Sequence, residues 1–167
     1  MTTWFNPEAA RSDPRLASVG QRFAARLIDT LGLGVVFLAA LVLAGVDFGE
    51  TGEDLSGAWT FGGILLGLLY EVPSTALVGQ TLGKAAMRIR IVRAEDGGIP
   101  GFSRAGLRYL VPFLLGMLPI PLVALLATSI ATLWFIWDPR RQSVPDKAAR
   151  TLVVRVGQES PGMMQLS

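Results

Sequence analysis

The chain has 167 residues, 51% of them hydrophobic, with a mean hydropathy of +0.47, a formal net charge of +2 and neither cysteine nor histidine. Soluble domains hold roughly 45–50% apolar residues with glycine included, and the 51% here leaves glycine out, so the expected solvent is lipid. Disulfides, thiolate or imidazole zinc sites and Ser-His-Asp triads have no residues to run on, and no nucleophile–base pair or metal cluster is visible. Neither an enzyme nor a cofactor is expected.

The basic pI of about 9.5 does not point to nucleic acid, because the positive charge is segregated. All fifteen Lys and Arg fall in three blocks, Arg11 to Arg26, Lys84 to Arg108 and Arg140 to Arg155, separated by long apolar runs. The segment "DFGETGEDLSG" holds Asp47, Glu50, Glu53 and Asp54 and no base. That is the positive-inside pattern of a multi-pass protein of a cell inner or plasma membrane, with both termini cytoplasmic and the acidic loop outside. A nucleic-acid domain would cluster its bases with exposed aromatics on one face.

In chain order, residues 1–19 are polar, broken by Pro7 and Pro14, and read as a flexible cytoplasmic lead. The apolar run that follows starts too late and is too long for a cleaved signal peptide. A first span is expected from Leu27 to Val46 and a second from Ala58 to Val78, each close to the roughly 20 residues a crossing needs. Gly63 and Gly67 in the second make a G-x-x-x-G pair that lets another helix approach, a candidate homo-oligomer surface or contact for a membrane partner. In "GKAAMRIRIVRAEDGG", Met87, Ile89 and Ile91 alternate with Arg88 and Arg90, which suits a surface strand closed by a turn. "RTLVVRV", Arg150 to Val156, is the other β-branched piece and could pair with it as a cytoplasmic ribbon.

The stretch from Leu107 to Trp137 is long for one span and short for two. Basic blocks on both sides require an even number of crossings, and "LPIP", Leu118 to Pro121, removes donors and disfavours helix before each proline. The expectation is a Pro-broken hairpin, with one kinked span as the alternative. The fold class is therefore an all-α multi-pass membrane protein of about four helices with a small β-ribbon, and residues 157–167 read as a disordered tail.

"GQTLGKA", Gly79 to Ala85, fails as a phosphate loop: its glycine spacing is one short and alanine follows the lysine. It reads instead as a helix exit, with Lys84 near the headgroups. Arg22, Arg26 and Asp29 lie at i, i+4 and i+7 and share one helical face. They form either an ion-pair clamp that sets helix depth or a cation or proton site. Glu71 lies about 10 Å inside the second helix by rise per residue. Left alone in lipid it would be protonated, which makes it a proton-exchange candidate; a bond to Arg22, Arg26 or Arg108 is the other reading. Asp146, after Pro145, either caps a short turn or reaches the first helix's arginines.

These residues resemble the RDD family of bacterial membrane proteins. The match is carried by "RFAARLID" with Arg22 and Asp29, by "GQTLGKAAMRIRIVRAEDGG", and by "RRQSVPDKAARTLVV" with Asp146, in the family's order from about Gly20 to Val156. This marks residues 20–156 as the RDD-like transmembrane domain. The chain departs at Pro145, where members often carry histidine, and at Arg150, where they carry glycine. The resemblance implies little about activity; some members look like cation/proton antiporters. Two functions are thus expected to compete. One exchanges protons for a small cation through Asp29 and Glu71. The other supports a larger membrane assembly without transport.

Overall fold

The computed structural model describes residues 14–45 and 53–157, the stretch 53–60 by its backbone alone. Most of the lead, the acidic positions Asp47 and Glu50, and the tail from 158 lie outside the described residues, as does Val46.

Helix α1, Val19–Leu43, starts eight residues before the expected Leu27. The reason is a capping box: the Ser18 hydroxyl accepts from the Gln21 amide at 3.1 Å, and the Gln21 side chain accepts from the Ser18 amide at 3.0 Å. Together they satisfy donors that a helix start leaves open. Arg22, Ala25 and Asp29 form the buried stripe of its first turns, and beyond them Leu41 is the next buried position. Among the described residues, α1 is the one helix long and apolar enough to cross a membrane, and only 11% of its most apolar window is buried inside the protein.

Helix α2, Glu53–Leu77, runs through Pro73 without ending. Helix α3, Leu82–Ala86, is a single turn that leads into strand β1, Ile89–Arg93. The "LPIP" segment breaks the chain as expected: α4 is Gly101–Gly116, and α5, Pro121–Leu133, begins with a proline whose missing N–H costs nothing there. These two helices pack together. A 3-10 turn, Trp134–Ile136, follows, then the short helix α6, Val144–Ala148, and strand β2, Thr151–Arg155.

The two strands pair antiparallel, Ile89 opposite Arg155 through Arg93 opposite Thr151, which is the expected ribbon. The chain before α1 lies along β2, with the Ala17 amide bonded to the Val153 carbonyl at 3.0 Å and the Arg155 amide to the Arg15 carbonyl at 2.8 Å. One apolar cluster joins Leu16 to Val92, Leu152 and Val154; another joins Ala17 and Ala25 to Ile89, Ile91 and Val153. The core is therefore at the ribbon, where the first turns of α1 dock. Helix α2 packs mainly on α4, with the Tyr109 hydroxyl donating to the Ile64 carbonyl at 2.6 Å.

Candidate functional site

Asp146 is the third residue of α6 and is placed by the helix's N-cap, Ser143. Its amide donates to the Ser143 hydroxyl at 3.2 Å while its carboxylate accepts from the Ser143 amide at 2.9 Å, a reciprocal cap. Both expectations for it hold, because the same carboxylate also reaches the first helix. Arg22 Nη1 donates to Asp146 Oδ2 at 2.9 Å, and Arg108, from α4, pairs with Oδ1. Asp146 is wholly buried, and Arg22 and Arg108 are nearly so. Arg108 also donates to the Thr151 hydroxyl at 3.0 Å, and the Arg22 guanidinium lies 5.2 Å from the centre of the Phe135 ring. One carboxylate thereby ties α1, α4, α6 and the start of β2.

Asp29 is placed one turn beyond Ala25 on the same buried stripe, but neither arginine of its helix holds it. That corrects the expected clamp within α1. Asp29 accepts from the Tyr70 hydroxyl at 2.7 Å, the Thr81 hydroxyl at 2.5 Å and the Gly83 amide at 2.8 Å, with Lys84 Nζ at 3.9 Å. The fit needs glycine at 83, since a Cβ there would sit 2.2 Å from the Ala25 carbonyl and 2.9 Å from the Asp29 carboxylate. So "GQTLGKA" is a carboxylate cradle. Lys84 does not reach out to headgroups as expected; its side chain is 12% exposed and faces Asp29. Burial pushes its ammonium down to about 8, with Arg108 and Arg26 adding to the fall and Glu71 and Asp29 opposing it.

Glu71 is not alone either. Arg26 Nη1 lies 3.4 Å from its carboxylate, so of the two readings the cross-helix bond is the one that forms. Arg26 itself is half exposed, so this pair is the looser one. A cavity of about 150 Å³ opens between these groups. Arg22, Arg26, Glu71, Lys84, Arg108 and Asp146 line its polar side, and Phe23, Pro112, Leu133 and Phe135 are among its apolar walls. Asp29 is not among the lining residues; it lies behind Lys84. Nearby, Asp138 is held low: burial opposes ionisation, but Lys147 and the amides of Gln142 and Arg140 outweigh it.

The site thus brings together Arg22, Arg26, Asp29, Glu71, Arg108 and Asp146, divided into two carboxylate nests and one cavity. Sequence reasoning missed Tyr70, Thr81 and Gly83. Their signal was present in "GQTLGKA" and beside Glu71, but the spacing to Asp29 runs through two helices. Gly67 packs on the Tyr109 hydroxyl within the chain, 3.0 Å from where a Cβ would stand, while Gly63 has open space. Among the described residues no cluster of acids suited to a metal ion is present.

The sequence model of the RDD family matches residues 16–150, a range that takes in Arg22, Asp29 and Asp146. No curated protein and no solved structure matches the chain.

Proposed function

The chain belongs to the RDD family, and from that premise we propose a multi-pass membrane protein in which the family's residues form a structural tie supporting a larger assembly. In this reading α1, α2, α4 and α5 cross the bilayer, the ribbon lies on the cytoplasmic side with both termini, and the segment around Asp47 and Glu50 lies outside. The basic blocks at the ribbon end support the orientation. Helix α4 has 16 residues, about 24 Å of rise, so the hairpin needs a locally thinned bilayer. The open space over Gly63 is the surface offered to a second copy or a membrane partner.

The observation that carries the structural role is Asp146, fully buried between arginines from two different helices. A carboxylate so enclosed is poorly placed to exchange ligands. The test is Arg22→Lys and Asp29→Glu in purified protein. Loss of folding or assembly is expected, and wild-type stability together with altered ion selectivity would contradict it. Single cysteines at Ile120 and Ser56 test the topology. Both should react with a membrane-impermeant reagent from outside, and silence at 120 alone would make the hairpin re-entrant.

A second reading, proton-coupled antiport of a small cation, is favoured by Glu71 and Lys84 lining the cavity. In it Glu71 is the exchanging carboxylate, because Asp29 already accepts three hydrogen bonds. Flux in proteoliposomes with a pH dye and added sodium or potassium decides. Loss in folded Glu71→Gln with retention in Asp29→Asn supports it, and no cation-dependent flux in folded wild type removes it.

A further inference from the structure

The cavity is lined by Arg22, Arg26, Lys84 and Arg108 against the carboxylates of Glu71 and Asp146, so cations outnumber acids by four to two. Even with Asp29 counted from behind Lys84, one positive charge is left over. The carboxylates are also already committed. Asp146 is occupied by Arg22, Arg108 and the Ser143 amide, and Glu71 by Arg26.

What remains are donors without acceptors. Among the described residues, Nε and Nη2 of Arg22 and Nε of Arg108 are buried and have no hydrogen-bond partner. The Arg22 side chain is only 7% exposed. Buried guanidinium donors left unpaired are costly, and native structures rarely keep them so. An apolar cavity of about 150 Å³ holds a benzene-sized molecule, and a tetrahedral oxyanion is no larger in kind. Guanidinium forks match phosphate oxygens in geometry and charge.

We propose that the cavity between α1, α2 and α4 binds a phosphate-type oxyanion, held by the cationic side chains of Arg22, Lys84 and Arg108 that line it. The chemistry is common to inorganic phosphate and to the phosphodiester of an anionic lipid headgroup. Only the lipid source rests on the four-span reading; the site itself does not.

The full chain is placed in nanodiscs of phosphatidylcholine and titrated with inorganic phosphate against chloride at constant ionic strength, with binding read by calorimetry. In parallel, protein purified from discs containing phosphatidylglycerol is weighed intact by mass spectrometry. Saturable phosphate binding identifies a free anion as ligand, and a retained phosphatidylglycerol identifies the lipid; either supports the site. Lys84→Met should weaken the observed binding about tenfold and Glu71→Gln, which removes a competing carboxylate, should tighten it by a similar factor. Because Glu71→Gln adds affinity, a misfolded variant cannot imitate the result. Neither phosphate binding nor retained lipid in folded wild type would overturn the proposal, as would binding indifferent to both substitutions.

Discussion

Ile89, Ile91, Leu152 and Asp146 at the ribbon end are at most 2% exposed, whereas Leu31, Val35 and Leu43 along α1 are 60%, 69% and 88% exposed. The ribbon end buries charge and leaves each carboxylate with named partners. The helical half leaves its largest apolar side chains without protein around them. The contrast separates the two regions: the first is organised by its own hydrogen bonds, and the second presents an apolar surface of the kind lipid covers. In the proposed reading it also gives the clamp its purpose. Helices that share only lipid-facing packing gain little from association by the hydrophobic effect, so polar ties at one end set their arrangement.

The largest effect should come from breaking the tie. Asp146→Asn leaves Arg22 and Arg108 buried without their counter-charge, and one broken buried pair costs about 3–5 kcal/mol. Chemical unfolding in mixed micelles should show a loss in that range. A change below about 1 kcal/mol would place Asp146 among surface pairs instead.

Leu31→Asp probes the other region. In water an exposed position tolerates substitution within about 0.5 kcal/mol. At the centre of a bilayer helix an aspartate costs about 2.5–3.5 kcal/mol. Reduced insertion in a translocation assay is expected, and full insertion with an unchanged product would show that this face of α1 meets water.

Stability should also depend on pH through Lys84. Its folded value of about 8 lies below the ordinary 10.5, so between them the unfolded chain holds more protons. Unfolding free energy therefore rises with pH across that window, and Lys84→Met should flatten the rise in a series of melting curves. Asp138 adds a rise of the same sign in the acid range. Its carboxyl is held below 3.8, so its contribution is present above that value and lost as pH falls through the depressed one.

The smallest effect concerns Arg150, whose φ of +52° lies in the left-handed region, just past the end of α6. A side chain is strained there and glycine is not. Arg150→Gly is expected to stabilise by up to about 1 kcal/mol, the relief of a left-handed side-chain cost of roughly 1–2 kcal/mol less the extra freedom glycine gives the unfolded chain. The measured sign is decisive, because destabilisation would mean that the Arg150 side chain makes a contact worth more than the strain.

Much of the ribbon was legible because period two and β-branched residues are local signals, and "LPIP" marked the helix break for the same reason. Apolar length alone predicts a later start for α1, because the cap that begins it, Ser18 and Gln21, is polar. The site was legible as a set of residues and not as a set of pairs. Arg22 and Asp146 are 124 positions apart, and Asp29 and Thr81 are 52 apart, so nothing in spacing links them. Arg22 and Asp29 share a helix face, and that proximity suggested a pair which the fold does not make. Its position after an apolar run predicts Lys84 at the headgroups, whereas the close approach allowed by Gly83 draws it inward.

The most direct test of the clamp is a double-mutant cycle on Arg22→Gln and Asp146→Asn, with stability measured for both singles and the pair. Each single should destabilise, and the double should lose less than their sum, leaving a coupling of about 0.5–3 kcal/mol. Additive losses would mean that the buried contact at 2.9 Å does not hold the first helix to the ribbon end, and the structural role assigned to the family's residues would fall.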